Sequence, residues 1–169
     1  MRVTNEKQAL GPGRVRIEVT GRPRTKGSLI PTHRKVGPGV CKVGLREDGD
    51  YSVAWKNTMI NAVRRQCVIA RYAGPVVVDT FFRFERESST EDLDVLWPTG
   101  RQYGDEDKLR RNALDALTQS GLILDDSLVI GGLPWKRFVL HDSERPGVTI
   151  KVRPADDRDL ERLLGLERS

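Results

Sequence analysis

Four aspartates and an arginine carry the chemistry this chain could do. They lie in the stretch Gly104-Asp105-Glu106-Asp107-Lys108-Leu109-Arg110-Arg111, which runs on to Gly121 and then to Asp125-Asp126. If Asp105 to Asp107 is extended, its two aspartate side chains point the same way. Carboxylates packed together repel, so a close group of them calls for a cation. Magnesium prefers oxygen ligands and keeps waters, leaving room for a substrate phosphate. A metal site of Asp105, Asp107 and Asp126 could therefore activate water against a phosphodiester. Arg111 lies one helical turn after Asp107, where it could bind the scissile phosphate or steady its developing charge. Plainer roles compete. Asp105 or Asp107 could cap a helix and complement its dipole. Asp125 and Asp126 could be turn residues, and Arg111 a solvated surface residue. Spacing alone leaves both accounts open.

The elements around these residues must allow the acids to meet. The pattern predicts a helix over about Asp107 to Gln119, with Leu109, Ala113, Ala116 and Leu117 on its apolar face. Such a helix rises about 18 Å, and about six extended residues return roughly 20 Å. Gly121 suits a left-handed cap that permits the reversal. Upstream, Arg14–Thr20 alternates like a half-buried strand, and residues 21–49 read as a long basic loop. Ser52 to Ala70 has helical spacing, with Ser52 as a candidate cap. Val76 to Phe84 reads as a strand, and 85–104 as a loop. Trp135–His141 and Val148–Val152 suggest two more strands, and Asp156–Leu166, within 155–169, a short amphipathic helix. The expected fold is α+β, a mixed β-sheet with helices packed on it in one domain over 1–169. Asp92-Leu93-Asp94 also pairs two acids, but Trp97-Pro98-Thr99-Gly100 follows it rather than a helix. Asp156-Asp157 is explained by the dipole of the last helix.

Charge and composition narrow the partners. Residues 1–46 hold eleven Lys or Arg and two acids, so this stretch is +9 within a chain of net charge +5. A polyanion would be drawn to it, though a solubilising loop would carry the same charge. Candidate DNA contacts are Arg22, Arg24, Lys26, Arg34 and Lys35 in the basic loop, Lys108 beside the acids, and Lys136 and Arg137 after them. Trp135 could stack on an exposed base or fill core or interface. His33 and His141 are isolated, and no Ser, Cys or second His completes a nucleophilic site. No Gly-rich loop precedes a helix, so no nucleotide cofactor is expected. Cys41 and Cys67 lack the further pair a zinc site needs, and they are expected to stay reduced. With no long apolar run and a polar Met1–Leu10, the expectation is no membrane span, no signal and a cytoplasmic protein.

The segment resembles the RusA family of Holliday junction resolvases. The family pattern is Asp-x-Asp-Asn-Leu-x-Lys, a helix with Asp-Ala-Leu, then Gly, then Asp-Asp before an apolar residue. Here it stands without a gap as Asp105-Glu106-Asp107-Lys108-Leu109-Arg110-Arg111, Asp115-Ala116-Leu117, Gly121 and Asp125-Asp126. Pro23-Arg24-Thr25-Lys26-Gly27-Ser28 is similar to an N-terminal loop of some members. The resemblance implies an α+β homodimer that cuts four-way DNA junctions with magnesium, or manganese in its place, in a bacterial or phage-infected cell. It implies that Asp105, Asp107 and Asp126 hold the metal and that Asp125 assists. Arg111 stands in the place of a lysine, and Lys108 in that of an asparagine. Arginine does not release its proton at neutral pH, so Arg111 can serve here by stabilising phosphate and not by proton transfer. The alternatives are a junction-binding protein that does not cleave, a metal-dependent nuclease for other branched nucleic acids, and a basic DNA-packaging protein.

Overall fold

The computed structural model describes residues 13–26, 29–37, 40–47, 49–67, 71–86 and 96–165, with backbone alone at 29–36 and 40–47. In chain order the elements are β1 (Val15–Thr20), β2 (Leu29–Gly37), β3 (Val40–Glu47), α1 (Asp50–Gln66) and β4 (Val76–Phe84). A 3-10 turn (Arg101–Tyr103), α2 (Glu106–Ser120), a second 3-10 turn (Asp126–Leu128), β5 (Val129–Gly131), β6 (Pro134–Phe138), β7 (Gly147–Pro154) and α3 (Asp157–Leu163) follow.

Period-two alternation decides which face of the sheet is covered. Val76, Val78, Phe82 and Phe84 of β4, Val148, Ile150 and Val152 of β7, and Ile17 and Val19 of β1 are buried on one face. Trp55, Met59 and Val63 of α1 and Leu109, Ala113, Ala116 and Leu117 of α2 close the core against them. Each large apolar side chain buried in this way contributes about 1.5–3 kcal/mol. The alternate residues, among them Arg16, Glu18, Asp79, Phe81, Arg83, Trp135, Thr149, Lys151 and Arg153, belong to the opposite face. The strand order is β1-β7-β4-β5, with β6 also on β4. β1 and β4 flank β7 antiparallel, whereas β5 and β6 run parallel to β4. The fold is therefore α+β with a mixed sheet, as the sequence predicted. No helix among the described residues is long and apolar enough to cross a membrane.

Three local expectations need correction. The basic stretch 21–49 is not all loop: β2 and β3 pair as an antiparallel hairpin. Gly37-Pro38-Gly39, between two runs containing Val36, Val40 and Val43, is the turn signal that the density of charge obscured. The first helix starts at Asp50, with Gly49 in the capping position and not Ser52, which is buried inside the helix. It ends at Gln66; residues 68–70, which complete the expected helix, lie outside the described residues. The short β5 was not anticipated, because three residues give too little pattern to read.

Candidate functional site

Gly104 is the point where three separate parts of the chain converge. Its φ of +72° suits glycine, and a Cβ there would meet Thr25 Cγ2 at 2.1 Å. Lys136 Nζ, from β6, donates to the Gly104 carbonyl at 2.8 Å. The residues before and after Thr25 are fastened to α2. Asn112 Nδ2 donates to the Arg24 carbonyl at 3.1 Å, and Lys26 N donates to the Lys108 carbonyl at 3.1 Å. Lys26 Nζ also pairs with Asp115 at 2.7 Å. The start of the basic stretch is thus laid along the first turns of α2, beside the acids.

Asp105 is the N-cap residue of α2 by position, but its side chain makes no capping bond. Its carboxylate faces Lys108 Nζ at 3.2 Å. Asp107 accepts from Arg111 Nη2 at 2.8 Å, one turn along the same helix. The side chains of Asp105 and Asp107 remain 69% and 53% exposed, so solvent and a ligand can reach both.

Gly121 takes the left-handed conformation at φ 84°, ψ 9°, as its position predicted. The chain then turns back. Ile123 bridges Tyr72 in parallel, with Tyr72 N donating to Leu122 O at 2.7 Å and Leu124 N to Tyr72 O at 3.2 Å. The turn Asp126–Leu128 packs against α2, and Arg110 Nη2 donates to the Gly131 carbonyl at 3.1 Å. Asp125 has a turn role: it accepts from Ser127 N at 2.9 Å. Hydrogen bonds from Ser127 hold its carboxyl below the usual range. Asp126 is exposed.

The structure therefore returns Asp126 to the side of α2. Among the described residues, however, it gathers no three acids, histidines or cysteines closely enough to hold a metal ion. The donor type suits magnesium, since all are exposed carboxylates. Besides the separation of the three acids, two exposed ion pairs, Asp105–Lys108 and Asp107–Arg111, occupy the carboxylates. Such surface pairs are worth about 0–1 kcal/mol, so exchanging them for a cation costs little.

The other predicted contacts divide. Arg24 lies over the Tyr51 ring at 5.3 Å, and Arg22 is exposed nearby. Arg34 and Lys35 fall in β2, where only backbone is described. Lys136 and Arg137 belong to opposite faces of β6. Lys136 joins the acid pair through Gly104, whereas Arg137 binds both oxygens of Glu144 at 2.8 and 2.5 Å, away from it. Asn112, Thr25 and Arg110 were missed by the sequence reading. Asn112 had a signal: a polar residue on the apolar stripe of Leu109, Ala113 and Ala116, at 0% exposure. Thr25 and Arg110 had none. No protein-family model matches this chain, and no curated protein does.

Proposed function

We propose that this protein is a magnesium-dependent endodeoxyribonuclease acting on four-way DNA junctions as a homodimer, like the resolvases its acid motif resembles. The observation that carries the reading is the convergence at Gly104. An exposed acid pair, the fastened segment Arg24–Lys26 and Lys136 of β6 meet there from three parts of the chain. Acids to hold a cation and bases to hold phosphates are both needed to cut a polyanion, and neither set does so alone.

Asp105, Asp107 and Asp126 would hold the ion. The chemistry it supplies when bound is activation of water and neutralisation of phosphate charge. Arg111, released from Asp107, is placed to grip the scissile phosphate with its planar fork. Lys108, released from Asp105, adds positive charge beside it. Arg24 and Lys26, held along α2, would take the flanking backbone. A dimer suits a substrate with two-fold symmetry, one subunit per cut strand.

A second reading keeps the binding and drops the cleavage. It is favoured by the ion pairs that occupy Asp105 and Asp107. A synthetic four-way junction, incubated with wild type and with Asp107→Asn, with and without magnesium, decides between them. The nuclease reading expects cuts only with wild type and magnesium. Binding without cuts by the wild type leaves the second reading, and equal cutting by Asp107→Asn removes this site from the reaction.

A further inference from the structure

We infer that the face of the sheet turned away from α1 and α2 is a second nucleic-acid surface, one that holds an unpaired stretch of single-stranded DNA. The inference rests on the DNA reading of the acid pair, but it concerns residues that take no part in that site.

β6 alternates between the two faces, so that while Lys136 reaches Gly104, Trp135 belongs to the other side. Trp135 is 50% exposed. It is the register partner of Phe81 on β4, and Phe81 is that of Thr149 on β7. One step along the sheet, Arg16 of β1, Lys151 of β7 and Asp79 of β4 form the next row. Lys151 Nζ leans over the Phe81 ring at 4.9 Å, which joins the two rows. A cavity of about 380 Å³ opens here, lined by Arg14, Arg16, Lys151 and Arg153 with Asp79.

The charges on this face are not all spent internally. Arg16 pairs with Glu18 at 2.7 Å, and Arg153 pairs with Asp159. Asp79 accepts from Leu133 N at 2.9 Å. Arg14 and Lys151 have no carboxylate partner among the described residues. Lys151 thus brings a charge with no carboxylate partner against two aromatic rings on neighbouring strands, about 5 Å apart, and Arg14 stands farther along the same face, at the cavity.

That combination suits single-stranded DNA better than a duplex. Cations can follow any phosphate backbone, but an exposed flat ring is satisfied by the face of an unstacked base. In a duplex the base faces are covered. A strand crossing the β6 edge would pass from Lys136 and the acid pair to Trp135 and Phe81. This surface would therefore favour junctions with unpaired nucleotides near the branch.

The test uses the full chain without magnesium, so that nothing is cut. Binding of a labelled oligothymidylate is followed by fluorescence anisotropy for wild type, Trp135→Ala, Trp135→Phe and Lys151→Glu, with thermal melts to show that each folds. Trp135→Ala is expected to weaken binding roughly 5- to 150-fold. Trp135→Phe should keep most of the affinity, and Lys151→Glu should lose affinity with a shallower salt dependence. Wild-type affinity in folded Trp135→Ala and Lys151→Glu would overturn the inference. So would a shift of Trp135→Ala toward monomer in sedimentation with oligothymidylate binding unchanged, because the face would then be an interface between copies. If wild type binds no single strand yet cuts junctions, and Asp107→Asn does not, this inference fails and the nuclease reading stands. If wild type binds neither substrate, both fail.

Discussion

Arg111 and Glu144 show how differently two ion pairs can matter. The Arg111–Asp107 pair is more than half exposed on both sides, so Arg111→Ala should change stability by less than about 1 kcal/mol. If Arg111 grips the scissile phosphate, the same change should slow cleavage about 100- to 1000-fold, the scale for losing one donor to a developing charge. Arg111→Lys should recover most of that rate, since the charge returns without the fork. Single-turnover cleavage beside a thermal melt separates the two effects, and an Arg111→Ala variant as fast as wild type would remove the residue from the reaction. Glu144 is a folding residue instead. The Arg137 hydrogen bonds, opposed by partial burial and joined by the Leu140 N–H, pull its carboxyl from 4.5 down to about 2. A carboxyl with a depressed folded pKa stabilises fully above its unfolded value and loses that contribution as pH falls through the folded one. Melting temperature should therefore drop between pH 4.5 and pH 2 by more in wild type than in Glu144→Gln. Near neutral pH the variant should already be less stable by about 1–3 kcal/mol, or roughly 2–4 °C per kcal/mol. Equal pH profiles would mean the pair is not closed in solution.

At the scale of elements, α2 ties the acid pair to the core and to the basic segment at once. Asn112 is the tether, since its buried amide holds the Arg24 carbonyl at 3.1 Å. Asn112→Ala should cost about 1–3 kcal/mol, because a backbone carbonyl loses its donor and a small cavity opens. It should also weaken DNA binding, because Arg24 to Lys26 come free of the helix, whereas Thr118→Ala on the same helix should do neither. Calorimetric melts and junction binding read the two consequences separately, and a destabilised variant with full affinity would show that the tether serves the fold alone. How α2 is built was largely legible in the sequence. The apolar face of Leu109, Ala113, Ala116 and Leu117 and the cap at Gly121 follow from period and from glycine's freedom at positive φ. β4 was legible for a similar reason, since β-branched and aromatic residues crowd it. The tether was not, because Arg24 and Asn112 are 88 residues apart and no local pattern encodes a contact over that distance. The hairpin of β2 and β3 was hidden differently, by charged residues that read as solvated loop. For the site, spacing placed Asp105, Asp107 and Arg111 on one helix end. It could not foresee that each acid faces a cation one turn on, since rotamers are chosen by neighbours and not by spacing.

On the scale of the molecule, the proposed action on DNA requires an acidic site to attract a polyanion. The distribution of charge suits that requirement: +9 in residues 1–46 against −4 in the rest. The structure brings part of the positive portion, Arg24 to Lys26, onto the acids' own helix. Under that proposal, long-range attraction would come from the whole positive segment, and the local repulsion of Asp105 and Asp107 would be offset by Lys108 and Arg111. Binding built this way releases counterions and must weaken steeply with salt. If six to ten phosphates are neutralised, junction affinity should fall about 10³- to 10⁵-fold between roughly 50 and 200 mM salt. Replacing Arg22 and Arg24 together by alanine should lower affinity similarly for junctions of unrelated sequence. It should also reduce the slope of log affinity against log salt by roughly one for each phosphate that is no longer neutralised. Isothermal titration at several salt concentrations with uncut junction measures that slope. A double variant that kept the wild-type slope would place the phosphate-binding cations elsewhere on the molecule. Arg14 and Lys151, on the face of the sheet turned away from α1 and α2, would then be the first positions to change.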